Sequence, residues 1–122
     1  MSNKIEAVRA MESAAFSGNW DKFKSYLADD VYYRVGNTAE VRGPQAIVDY
    51  LINSFFPRLA ITDLQTRAAW QDGNTVMLEL NMAGHRVKDQ KNISYPCIDI
   101  FRFKGDKIGD WRVYAIEPAF IK

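Results

Sequence analysis

Little in this sequence supports the commoner kinds of metal or thiol chemistry. Its 122 residues include one cysteine, Cys97. An intramolecular disulfide is therefore excluded, as is a cysteine-rich structural metal site. A single histidine, His85, leaves little basis for a histidine-ligated metal or a Ser-His-Asp triad. No metal and no cofactor is expected. No apolar run approaches the ~18 residues of a membrane span, so no membrane partner is expected. Charge of neither sign dominates: sixteen Lys and Arg against fifteen Asp and Glu leave +1. Without a basic stripe, nucleic acid is not an expected partner. The opening residues, MSNKIEAVRAMESAAF, carry charges through their apolar stretch and do not read as a signal peptide. A reducing, cytoplasmic setting is the expectation. There is no repeat, low-complexity segment or linker, and residues 1–122 read as one domain.

What is abundant is apolar and aromatic. Hydrophobic residues make up 48% and aromatics 13%, enough to wall a pocket as well as fill a core. Residues 3–17 read as a helix, with Ile5, Val8, Met11 and Ala15 on one face, Ser2 or Asn3 as cap, and Gly18-Asn19 as stop. WDKFKSYL (20–27) predicts a second short helix, and DDVYYRVGN (29–37) a strand and turn. Arg42-Gly43-Pro44 opens a third helix with Ile47, Tyr50, Leu51 and Phe55 on its apolar face. Strands are predicted over 59–71, 75–83, 92–103 and 107–117, with turns at Gln71-Asp72-Gly73-Asn74 and Lys104-Gly105-Asp106-Lys107. The order predicts an α+β fold, with helices packed in the concave face of a curved, mixed or mostly antiparallel sheet.

One residue conflicts with its surroundings. CIDIFRF (97–103) is a strand with a carboxylate near its middle. Alternation puts Asp99 on the row of Ile93, Tyr95, Cys97, Phe101 and Phe103. If that row faces inward, Asp99 lies in an apolar cavity, and desolvation raises its pKa. It could then stay protonated near neutral pH and donate a hydrogen bond, or shuttle a proton. A plainer reading pairs Asp99 with an arginine or leaves it exposed.

The helix-first order, ADDVYYRVGN, VRGPQAI and IDIFRFKGDKIGDWRVY together resemble the SnoaL-like polyketide cyclase branch of the nuclear-transport-factor-2-like (ketosteroid-isomerase-like) superfamily. The resemblance covers nearly the whole chain. It implies a cone-shaped fold, a homodimer paired through the outer sheet face, and one acid/base aspartate in an apolar pocket, at Asp99. Ketosteroid isomerases have a similar IDIFRF segment, whose aspartic acid is a protonated donor. Their base would fall at Val35 and their oxyanion tyrosine at Met11, so that cycle is not supported. Epoxide hydrolases of the limonene type would need polar groups where Val35 and Val113 stand, and near Leu80 and Met82 or Glu79 and Asn81.

Two functions remain open. One is a cofactor-independent cyclase or isomerase acting on a small hydrophobic carbonyl compound of polyketide, steroid or terpenoid type. Asp99 moves the proton and Tyr33 polarises the carbonyl. Trp111, Phe101, Val35, Met11, Cys97, Val113 and His85 line the site. The other is a non-catalytic ligand-binding or dimerisation module of the same fold. Trp20 and Trp70 read as core or rim, and Glu79 as an outer-face residue. Ile98, Ile100, Tyr114 and Ile116 form the apolar patch expected at a dimer interface.

Overall fold

The computed structural model describes residues 3–115. Helix α1 (Lys4–Phe16) starts at Asn3, whose side chain accepts the backbone N–H of Glu6 at 3.1 Å. It stops before Gly18, which takes the left-handed φ of 75°. Helix α2 (Trp20–Ser25) is capped in the same way by Asn19. It is shorter than its apolar spacing predicts, because Leu27 already pairs with Ile108 in the sheet. Strand β1 (Leu27–Val35) and the two-residue β2 (Val41–Arg42) follow.

Helix α3 (Pro44–Tyr50) begins with proline in its first turn. The sequence predicts that it continues regularly to Phe55. Instead Leu51–Phe55 form a wider π-helical turn, closed by the Phe56 N–H on the Leu51 carbonyl at 2.9 Å. Four long strands complete the chain: β3 (Leu59–Asp72), β4 (Thr75–Arg86), β5 (Asn92–Lys104) and β6 (Lys107–Ala115).

The sheet order is β2-β1-β6-β5-β4-β3. The meander β3 to β6 is antiparallel, as expected, while β6 closes against β1 in parallel. Register shifts at Ile61/Asp63, Thr66/Ala68 and Arg102/Phe103 bend the long strands. Beside the first of these, Gly84 of β4 lies so close to β3 that a Cβ there would stand 1.9 Å from the Ala60 carbonyl oxygen.

Burial fixes which row faces inward. Val76, Leu78 and Leu80 are buried on β4 while Met77 and Glu79 are exposed. On β5, Cys97, Asp99, Phe101 and Phe103 are buried while Ser94, Pro96, Ile98 and Arg102 are exposed. The helices cover this inner face with Val8, Met11, Phe23 and Ile47, all fully buried. The result is an α+β fold with helices on a curved, unclosed six-stranded sheet. Ile116, Pro118 and the end of the predicted strand 107–117 lie outside the described residues. Among the described residues, no helix is long and apolar enough to cross a membrane.

Candidate functional site

Asp99 sits mid-strand on β5, opposite Leu78 of β4 and Val113 of β6. It is 3% exposed, and among the described residues no other charged side chain is as deeply buried. It has no ion pair with a described arginine or lysine. Its two oxygens are held instead by neutral donors. The Trp111 indole N–H donates to Oδ2 at 3.1 Å, and the Cys97 thiol donates to Oδ1 at 3.0 Å. Trp111 arrives from β6 one diagonal step away, since it pairs directly with Phe101.

These groups oppose one another electrostatically. Burial pushes the Asp99 carboxyl up, and the bonds from Cys97 and Trp111, which favour the ionised form, pull it back; the balance lies at about 6. Asp99 is therefore mostly ionised at neutral pH and is held as an acceptor, rather than as a protonated donor. Burial and the adjacent Asp99 charge push the Cys97 thiol far up, so Cys97 stays a thiol.

Asp99 borders a cavity of about 70 Å³. The sheet contributes Tyr33 and Val35 from β1, and Trp111 and Val113 from β6. From β4 and β5 come Met82, Tyr95 and Cys97. The Tyr33 and Trp111 rings meet at 4.6 Å between centroids, and Tyr33 also packs on Tyr50 at 5.7 Å. Burial holds the Tyr33 phenol protonated, well above its usual range. Among the described residues its hydroxyl has no hydrogen-bond partner. No buried side-chain oxygen or nitrogen is left unpartnered there, so this hydroxyl faces open space. The Tyr95 hydroxyl donates to the Met82 sulfur at 3.2 Å.

The expected residues divide in two. Asp99, Tyr33, Trp111, Val35, Cys97 and Val113 come together around the cavity. Phe101 and Met11 are fully buried behind it, in the core; Phe101 backs the Trp111 ring at 5.3 Å. His85 stands apart. Strand β4 runs past it to Arg86, where the sequence predicted a strand end, and His85 pairs with Ala60 and Asn92 rather than facing the cavity. Glu79 lies on the outer face, as expected.

Sequence reasoning missed three contributions. Glu12 of α1 lines the cavity, and burial, then the Asp99 charge, push its carboxyl up to about 8 against a lowering by Arg9. The π-helical turn aims Leu51, Phe55 and the following Phe56 at the same space. Trp111 is a hydrogen-bond donor to Asp99 and not only a wall. The spacing Val8-Met11-Glu12-Ala15 could have revealed Glu12, since it places the carboxylate on the buried stripe. Nothing local marks the π turn. Among the described residues, no three His, Cys, Asp or Glu side chains are grouped to hold a metal ion.

Helices packed on a curved, unclosed six-stranded sheet in this order form a nuclear-transport-factor-2-like fold, as the likeness to solved structures of that fold shows. Residues 8–111 match the family model described as the SnoaL-like domain, and the chain belongs to that family. A search of curated protein sequences finds no match. Solved structures agree on the fold. A SnoaL-like polyketide cyclase candidate from Jannaschia sp. CCS1 is 11% identical, with a TM-score of 0.82, over 92% of this chain and 84% of that one. A protein with a ketosteroid isomerase-like fold from Catenulispora acidiphila, in complex with trimethylamine, is 20% identical at a TM-score of 0.78, over 89% and 84%. A limonene-epoxide-hydrolase-like enzyme from M. tuberculosis is 21% identical at 0.75, over 93% and 82%.

Proposed function

We propose that the chain is a cofactor-independent enzyme of the cyclase or isomerase kind, which moves a proton on a small hydrophobic carbonyl compound. The observation that carries this reading is the buried Asp99 carboxylate, held among the described residues by Trp111 and Cys97 alone, on the wall of an aromatic cavity. A base with a pKa of about 6 is largely available at neutral pH and still returns the proton readily. Tyr33, a neutral phenol with its hydroxyl unclaimed by the described residues, is the group to polarise a carbonyl. At about 70 Å³ the cavity is roughly half the size of one that takes up benzene, so it would receive the reacting end of a polyketide, steroid or terpenoid rather than the whole. Epoxide hydrolysis is disfavoured, because Val35 and Val113 offer the cavity only alkyl groups.

The same two valines favour the second reading, a non-catalytic binding module, since they leave Asp99 without polar neighbours at either position. The test is exchange of α-protons in D2O, followed by NMR on a panel of small ketones with wild type and Asp99→Asn. Enzyme-dependent exchange that disappears in the variant supports catalysis. Ketone binding without exchange in either protein would leave the binding module as the reading.

A homodimer paired through the outer sheet face is part of the proposal. That face carries Trp70 opposite Met77, and Ile98 opposite Tyr114. All four are exposed, as an apolar interface without its partner would be.

A further inference from the structure

Glu12 is a carboxyl group in the cavity that the reaction above leaves unused and that could itself carry a proton to a ligand. It rises from α1, which covers the inner face of the sheet, while Asp99 comes from β5 beneath. Its carboxyl oxygens have no hydrogen bond or ion pair among the described residues, although Arg9 lies one helical turn away. Since no buried side-chain oxygen is left unpartnered there, these oxygens are not sealed in the core, and Glu12 is among the residues that line the cavity. No described arginine or lysine lines that cavity. Two carboxyl groups therefore border one small apolar volume whose described lining holds no cation, Arg9 acting on Glu12 only from outside it, and like charges in such a space cannot both form cheaply.

We propose that Glu12 is the second acid/base group of this site, sharing a single proton with Asp99 across the cavity and presenting it to the carbonyl oxygen of the ligand. The two environments differ in the way this requires. Asp99 has two donors that favour its charge. Glu12 has none, and faces the Asp99 charge in addition. The other titratable side chains on the cavity are Tyr33, Tyr95 and Cys97, all held in their neutral forms by burial. The π-helical turn adds only apolar groups. Arg9 opposes the effect but does not overcome it. The proton thus resides on Glu12 at neutral pH.

The chemistry follows. Asp99 takes a proton from the carbon next to the carbonyl as the Glu12 carboxylic acid gives its proton to the carbonyl oxygen, leaving a neutral enol. In the return step Glu12 recovers its proton from the enol oxygen, and Asp99 delivers the other to carbon. No charge accumulates on the ligand, which suits a cavity with so few polar groups. This use of the pair rests on the proton-transfer reading above, whereas the sharing of the proton does not.

The decisive experiment is a pH titration of side-chain carboxyl carbons by NMR, in wild type, Asp99→Asn and Glu12→Gln, without ligand. The expected result is two well-separated steps, the upper assigned to Glu12. That step should move to lower pH in Asp99→Asn. The Asp99 step should change little in Glu12→Gln, because Glu12 is neutral while Asp99 titrates. A Glu12 midpoint near 4.5 in wild type, or one indifferent to Asp99→Asn, would overturn the proposal. The ketone exchange assay adds a functional arm. Where wild type exchanges, its rate should fall on the alkaline side, and Glu12→Gln should abolish that fall while lowering the rate. An alkaline limb that survives Glu12→Gln refutes the catalytic use of Glu12. Absence of exchange in wild type refutes the carbonyl reading alone, and the titration then judges the shared proton by itself.

Discussion

The indole N–H of Trp111 reaches Asp99 Oδ2 at 3.1 Å from the neighbouring strand, one diagonal step along the sheet. A tryptophan in a small core is ordinarily a filler. Here it is also half of the solvation of a buried charge, and the Cys97 thiol is the other half.

Removing that donor should therefore be felt first as a change in acidity. Trp111→Phe keeps a ring against Tyr33 and Phe101 but loses the N–H. The Asp99 midpoint, about 6 in wild type, should rise by ~1 unit, and stability above that midpoint should fall by ~1–3 kcal/mol. Cys97→Ser, which retains a donor, should move the midpoint much less than Cys97→Ala. Carboxyl carbon NMR on the three variants checks the order.

Stability should depend on pH in an unusual direction. Asp99 and Glu12 are acids with raised values in the folded chain, so the folded state binds more protons than the unfolded one between the two values. Their contribution is fully present below the unfolded values of 3.8 and 4.5, and is lost as pH rises through about 6 and then about 8. For Asp99 the loss is on the order of 3 kcal/mol. Exposed Asp89, held at about 2 by Arg86, acts in the opposite sense and weakens the fold only at strongly acid pH. Urea denaturation should therefore give a lower midpoint at pH 9 than at pH 5. Asp99→Asn should narrow that difference and be more stable than wild type at pH 8, despite the hydrogen bond that an amide cannot accept.

A single methyl group should test the bend in the sheet. Gly84→Ala would press a Cβ against the Ala60 carbonyl at 1.9 Å, and both atoms belong to paired strands that cannot step aside independently. A loss of ~2–4 kcal/mol is expected by chemical denaturation, and a neutral result would show that β3 and β4 adjust freely there.

The outer face offers a test by mass. Light scattering at micromolar concentration should give a dimer for wild type and a monomer for Tyr114→Arg or Ile98→Asp, both at exposed positions that leave the cavity intact. A wild-type monomer would remove the dimer from the proposal.

Much of this was legible in the sequence because strands report themselves at period two. The row of Tyr95, Cys97, Asp99 and Phe101 could be written down before any coordinates, and its inward direction followed from apolar content. Tyr33 was placed by the same alternation, and Trp111 by alternation together with the family resemblance, which points it into the pocket. The omissions have a different character. Glu12 is a charged residue on a helix whose neighbours read as surface, and only its offset from Val8 and Ala15 places it inward. The aromatic wall at Phe55 and Phe56 depends on one wide helical turn, which the spacing of Ile47, Leu51 and Phe55 does not distinguish from a regular helix. His85 was drawn toward the cavity by its chemistry, while the length of β4 assigned it elsewhere.

The parallel seam between β1 and β6 has a consequence for how the molecule comes into being. Tyr33 and Trp111 are neighbours across that seam although 77 intervening residues separate them, and every other strand contact of β6 is local by comparison. Closing such a loop costs entropy before it returns any contact, so the hairpins of the meander are expected to assemble first and the seam late. Asp99 and its tryptophan donor would meet early, within one hairpin. Tyr33 and Glu12 would join only when the two ends of the chain come together. A carboxylate made ready before its cavity exists would spend part of every folding event in water, and its burial would act as the final, pH-sensitive step of assembly.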